Sequence, residues 1–91
     1  MGVKMFLILV YDVGEKRVGK VLKICRKYLN WVQNSVLEGE ISDAGYRKLK
    51  MELKRAINEK EDSVIFYILR TTKYSKRETM GIKKGGDDIF I

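Results

Sequence analysis

The chain is most constrained by Met5-Phe6-Leu7-Ile8-Leu9-Val10-Tyr11-Asp12, seven apolar or aromatic residues running straight into a carboxylate. The run is too short for a helix of ordinary length. It is rich in Ile, Leu, Val and Phe, and Asp12-Val13-Gly14 closes it with turn chemistry, so it reads as a β-strand. A strand with one wet face would alternate polar and apolar residues. This one is apolar on both faces, so both faces of its sheet must be covered. Asp12 then stands where the strand leaves the core, a common place for a reactive group.

Downstream of the strand, apolar residues recur at Val18, Val21, Leu22, Cys25, Tyr28 and Leu29, the spacing of an amphipathic helix. Asp12 or Gly14 is placed to cap its start. Cys25 lies on the apolar face, which predicts a buried, inert thiol. Residues 31–41 read as extended, with Val32 and Val36 on one face and Trp31, Gln33, Ser35 and Leu37 on the other. Asn34-Ser35 and Gly39 interrupt the pattern, so the segment is one bent strand or two short ones. Ser42-Asp43 supplies a hydroxyl cap and a first-turn acid for a second helix. Tyr46, Leu49, Leu53, Ala56 and Ile57 form its buried stripe, and Glu61-Asp62-Ser63 reads as its end. Residues 64–69 form a second strand apolar on both faces. Residues 71–76 follow as a polar, basic connector, and residues 77–82 as an edge strand. The pattern reads as a single domain over residues 1–91, with 1–4 a lead-in and 83–91 a C-terminal segment able to pair with a partner subunit.

This order predicts an α/β (α+β) sandwich, with two helices on one face of a four-stranded sheet. The opposite face would then expose too large an apolar patch, which a homodimer packed sheet against sheet would bury. The apolar fraction is 45% and the charged fraction 34%, values of a globular chain rather than a disordered one. Nineteen Lys and Arg against 12 Asp and Glu leave a charge of +7, which favours an acidic partner such as nucleic acid. No segment approaches a membrane span and no signal-peptide cleavage pattern follows the first apolar run, so the reading is cytoplasmic, with no membrane partner.

The absence of histidine excludes a Ser-His-Asp triad, an HExxH site and His-ligated zinc. The single cysteine excludes an internal disulfide and a Cys-rich metal site, and there is no Walker A or GxGxxG loop. Asp12 remains, either as a cap and turn former or as a metal ligand. Mg²⁺ keeps several waters and is often held by one or two carboxylates plus substrate phosphates, so a twofold axis near the end of this strand would supply the pair. Arg17, one turn into the first helix, is placed to neutralise a phosphate at the same mouth. Lys16, Lys20, Lys23 and Lys27 form one stripe along that helix with Arg17 and Arg26 beside it, a spacing that suits phosphate contacts without base reading.

The strand ending Tyr11-Asp12-Val13, Arg17 on a basic helix, the block from Val32-Gln33-Asn34-Ser35 to Val36-Leu37-Glu38-Gly39, then Asp62-Ser63-Val64, Tyr67 and Met80-Gly81 together resemble the second family of CRISPR-associated proteins. The resemblance covers nearly the whole chain from Met5. It implies a ferredoxin-like dimer that works with the CRISPR-associated integrase in spacer acquisition and holds duplex DNA. It also implies, for some members, a Mg²⁺-dependent nuclease acting on RNA or duplex DNA, with the aspartate at Asp12 as metal ligand. Leu37 departs from the Phe often found in the family. Two alternatives accompany this expectation: a non-catalytic DNA-binding scaffold of the integrase complex, and a related ribonuclease toxin.

Overall fold

In the computed structural model, which describes residues 4–71 and 74–82, the apolar run is the central strand of the sheet. The elements run β1 (Lys4–Asp12), α1 (Glu15–Arg26), β2 (Asn30–Gln33), β3 (Val36–Ser42), α2 (Asp43–Ala56), β4 (Ser63–Thr71) and β5 (Tyr74–Gly81). The sheet order is β2-β3-β1-β4-β5, with every neighbouring pair antiparallel. This is a ferredoxin-like α+β fold extended by one edge strand, so the sheet has five strands rather than the four expected.

The extra strand comes from one place where side-chain pattern hides the backbone, and a second such place lengthens β4 and β5. Residues 31–41 are a hairpin, β2 and β3, because Asn34 adopts a left-handed φ of 40° and turns the chain. The segment read as a connector belongs largely to β4 and β5, since β4 continues to Thr71 and β5 begins at Tyr74. Polar residues are admissible there because, among the described residues, β5 pairs on one side only.

Along β1, Met5, Leu7, Leu9 and Tyr11 are buried while Phe6, Ile8 and Val10 are partly exposed. The buried set meets both helices: Val21, Ile24 and Cys25 from α1, and Tyr46, Leu49, Leu53 and Ala56 from α2. The two-helix cover lies on one face, as the sequence pattern requires. Ser42 is the N-cap of α2, its hydroxyl accepting from the Gly45 N–H at 3.0 Å. Gly14, not Asp12, is the N-cap of α1, in extended conformation and with no side-chain cap of its own. Cys25 is fully buried, and burial pushes its thiol up to about 12, so it is inert as expected.

The other face of the sheet carries the remaining apolar set. Phe6 and Leu69 lie opposite each other in register and are 37% and 36% exposed, and the pairs Ile8–Tyr67 and Val10–Ile65 continue the row. Glu38 and Glu40 flank it on β3, and Arg77 flanks it on β5 opposite Tyr67. Among the described residues no helix is long and apolar enough to cross a membrane. The C-terminal segment expected to reach a partner, residues 83–91, lies outside the described residues, as do residues 1–3 of the 1–4 lead-in, while Lys4 already belongs to β1.

Candidate functional site

Because side chains alternate along a strand, Asp12 shares the open face with Phe6, Ile8 and Val10. It is exposed, at the end of β1, abreast of Ser63 on β4, which is in turn abreast of Gly81 on β5. The end of β1, the start of β4 and the end of β5 thus meet at one edge of the molecule. Tyr11, the residue before, points the other way into the core, where burial raises its phenol above the ordinary range.

What shapes this edge is a carboxylate that sequence reading took for a helix end. Asp62 is completely buried. Its Oδ1 accepts from the Gly14 N–H at 2.8 Å and from the Arg17 guanidinium at 2.9 Å. Its Oδ2 accepts from Arg17 Nε at 2.5 Å and from the Asn58 N–H at 2.8 Å. Four donors around one carboxylate compensate its loss of hydration, and the Arg17 guanidinium, foremost, holds it well below the usual carboxylate range. Arg17 also reaches Glu61 at 3.1 Å, and its own pKa is raised by these acids, Asp62 first. The backbone takes part as well. The Asp62 carbonyl accepts from the Ile82 N–H at 2.9 Å, across Gly81, whose φ is +88°. A Cβ on Gly81 would stand 2.1 Å from that carbonyl oxygen, so only glycine closes the tie.

Arg17 stands in the first turn of α1, just after the Asp12–Gly14 loop, with its guanidinium committed to Asp62 and its side chain 26% exposed. Of the basic stripe, Lys16, Lys20 and Lys23 are exposed on α1 as expected. Lys27 is exposed too, but its ammonium is bridged to Glu52 of α2, which also accepts from the Tyr28 hydroxyl. Arg26 lies over the ring of Trp31, 5.5 Å from its centroid. The stripe thus divides into an outward lysine set and a C-terminal end tied to neighbouring elements.

Among the described residues no group of three or more Cys, Asp and Glu is arranged to hold a metal ion. A single carboxylate with an exposed side chain is compatible with a hard cation that keeps most of its waters, and Asp12 is that group here.

A sequence profile described as "CRISPR associated protein Cas2" matches residues 5–77. The CRISPR-associated endoribonuclease Cas2 of Thermotoga maritima is 61% identical over 87 residues, covering 96% of this chain and 100% of its own length. That of Dictyoglomus turgidum is 61% identical over 80 residues, covering 88% of this chain and 92% of its own. Among solved structures, a crystal structure of cas2 superposes with a TM-score of 0.72 at 40% identity, covering 97% of this chain and 99% of that one. Streptococcus pyogenes Cas2, solved at pH 6.5, gives 0.66 at 37% identity, covering 70% and 84%.

Proposed function

The chain belongs to the CRISPR-associated Cas2 family, and on that premise we propose that it is a dimeric, metal-dependent endonuclease that binds nucleic acid without reading its sequence. The observation that carries this reading is the placement of Asp12: exposed, at the end of the central strand, on the one sheet face that the helices leave open. Face-to-face packing of two copies about a twofold along the strands would bring the two Asp12 carboxylates to the same end. The same operation would set Glu38 and Glu40 of one copy over Arg77 of the other, since they flank the apolar row on opposite sides.

Mg²⁺ is the cation that fits this donor, and when bound it would polarise a phosphodiester and lower the pKa of a coordinated water. Asp12 would hold it. Lys16, Lys20 and Lys23 would attract and seat the phosphate backbone, RNA or duplex DNA. Arg17 would add positive charge at the mouth, its position fixed by Asp62 rather than by substrate. The relatives' names as endoribonucleases favour RNA cleavage. Work in the cytoplasm beside the CRISPR integrase, during spacer acquisition, completes the proposal.

A second reading, a DNA-binding scaffold of the integrase complex, is favoured by the exposed lysine stripe, which suffices to hold a duplex with no help from Asp12. A cleavage assay separates the two. With single-stranded RNA and duplex DNA, with and without Mg²⁺, Asp12→Asn is expected to abolish cleavage by the wild type while leaving dimerisation intact. Cleavage that persists in the variant would assign Asp12 a structural role and leave the scaffold standing.

A further inference from the structure

We propose that Trp31 and Arg26 form a stacking site for an unpaired nucleotide at the end of the basic stripe of α1. Trp31 pairs with Leu37 across β2 and β3, so both side chains leave the sheet on the helix-bearing side. Leu37 is fully buried there, but Trp31 stands on the edge strand beyond the end of α1 and remains 49% exposed. Its indole N–H donates to the Asn34 carbonyl at 2.8 Å, across the left-handed turn of the hairpin, which fixes the ring's orientation. The Arg26 guanidinium stands 5.5 Å from the ring centroid. An aromatic ring held by a backbone hydrogen bond and accompanied by a cation is a preorganised platform for a nucleotide, because every base has a π-face and every nucleotide of a strand carries a phosphate.

Its surroundings point to the same ligand. From Lys16 through Lys20 and Lys23 to Arg26, α1 presents positive charge over about 15 Å of axis, about four nucleotide rises of a stacked strand, and the charge ends at the tryptophan. The backbone contacts alone do not favour a single strand over a duplex. A ring that accepts a base does, since the bases of a blunt duplex are engaged with each other. This inference rests on the nucleic-acid reading of α1 and adds to it a preference for unpaired segments.

Trp31 is the only tryptophan in the chain, so its fluorescence reports on this site alone. A single-stranded oligothymidylate and a blunt duplex of equal length would be titrated in chelator-containing buffer, following both tryptophan emission and the anisotropy of the labelled oligonucleotide. The single strand is expected to quench the emission, and the duplex to bind without quenching. Trp31→Ala is expected to weaken single-strand binding about 5- to 150-fold with duplex affinity unchanged, and Trp31→Phe to retain most of it. Single-strand binding with unmoved emission, and with equal affinity in Trp31→Ala, would overturn the proposal. So would emission that responds to protein concentration and not to the oligonucleotide, which would assign the ring to a contact between copies. Lys20→Ala serves as the control and should weaken both ligands. If neither ligand binds the wild type at low salt, the reading of α1 falls, and this proposal with it.

Discussion

Asp62 carries more of the local architecture than any other polar residue described. A buried carboxylate is costly in isolation, and here it is repaid by the Arg17 guanidinium and the Gly14 N–H, both distant in sequence, and by the nearby Asn58 N–H. Removing it would take this acceptor from the half-buried Gly14 and Asn58 N–H groups and leave Arg17 with Glu61. Asp62→Ala is therefore expected to lower the unfolding free energy by about 3–5 kcal/mol, measured by urea titration at neutral pH. The pH dependence has a definite sign. The folded pKa of Asp62 is depressed, so its contribution is fully present above the ordinary aspartate pKa of about 4 and is lost as pH falls through the folded value. The stability gap between wild type and Asp62→Ala should narrow when the titrations are repeated at acidic pH. A gap independent of pH would mean that packing, not charge, holds this corner. Sequence reading could not find this role, because the partner of Asp62 is 45 residues away and an acid between Glu61 and Ser63 has the composition of a solvated turn.

Elements whose periodicity is set by the core are legible in the sequence itself: β1 and β4 from runs apolar on both faces, α1 and α2 from their stripes, Ser42 from its capping position. The hairpin of β2 and β3 was not resolved, since a one-residue change of backbone sign at Asn34 leaves no mark on hydrophobic pattern. The same blindness hid Trp31, which counts as apolar in the sequence yet stands half in solvent. Nor does a helical stripe show which of its charges are already answered. Lys27 is bridged to Glu52, while Lys16, Lys20 and Lys23 are exposed on the outward face of α1. In measurements of duplex affinity against salt, each of Lys16→Ala, Lys20→Ala and Lys23→Ala should reduce the logarithmic slope by about 0.9. Lys27→Ala should reduce it by less. Equal effects at all four positions would show that the bridge to Glu52 opens on binding, and no effect at any would make the stripe a solvated surface.

For the molecule as a whole, the uncovered face of the sheet sets the expectation. Phe6, Ile8, Val10, Ile65, Tyr67 and Leu69 form one apolar row without a cover among the described residues. A patch of this kind, rimmed by charge, marks an association surface. The wild type should scatter light as a dimer at micromolar concentration. Ile8→Lys or Tyr67→Glu, each placing a charge in the middle of the row, should yield a folded monomer. A monomeric wild type would remove both the interface and the pairing of Asp12 carboxylates across it. A dimer whose melting temperature rises on Asp12→Asn in Mg²⁺-free buffer would show that the two carboxylates face each other closely enough to repel.

The position of β1 has a consequence for how the chain acquires its structure. Made first, this strand lies between β3 and β4, whose pairing residues come tens of positions later. Until β4 exists, the apolar run has one neighbour at most, and the loop after it lacks the carboxylate that anchors Gly14 and Arg17. During synthesis the N-terminal strand must wait, with its stickiest residues exposed, for a segment from the last third of the chain. Closing such long loops slows folding and prolongs exposure of an aggregation-prone strand. A fragment ending before Val64 should accordingly neither fold nor stay dispersed, however complete its first helix and hairpin.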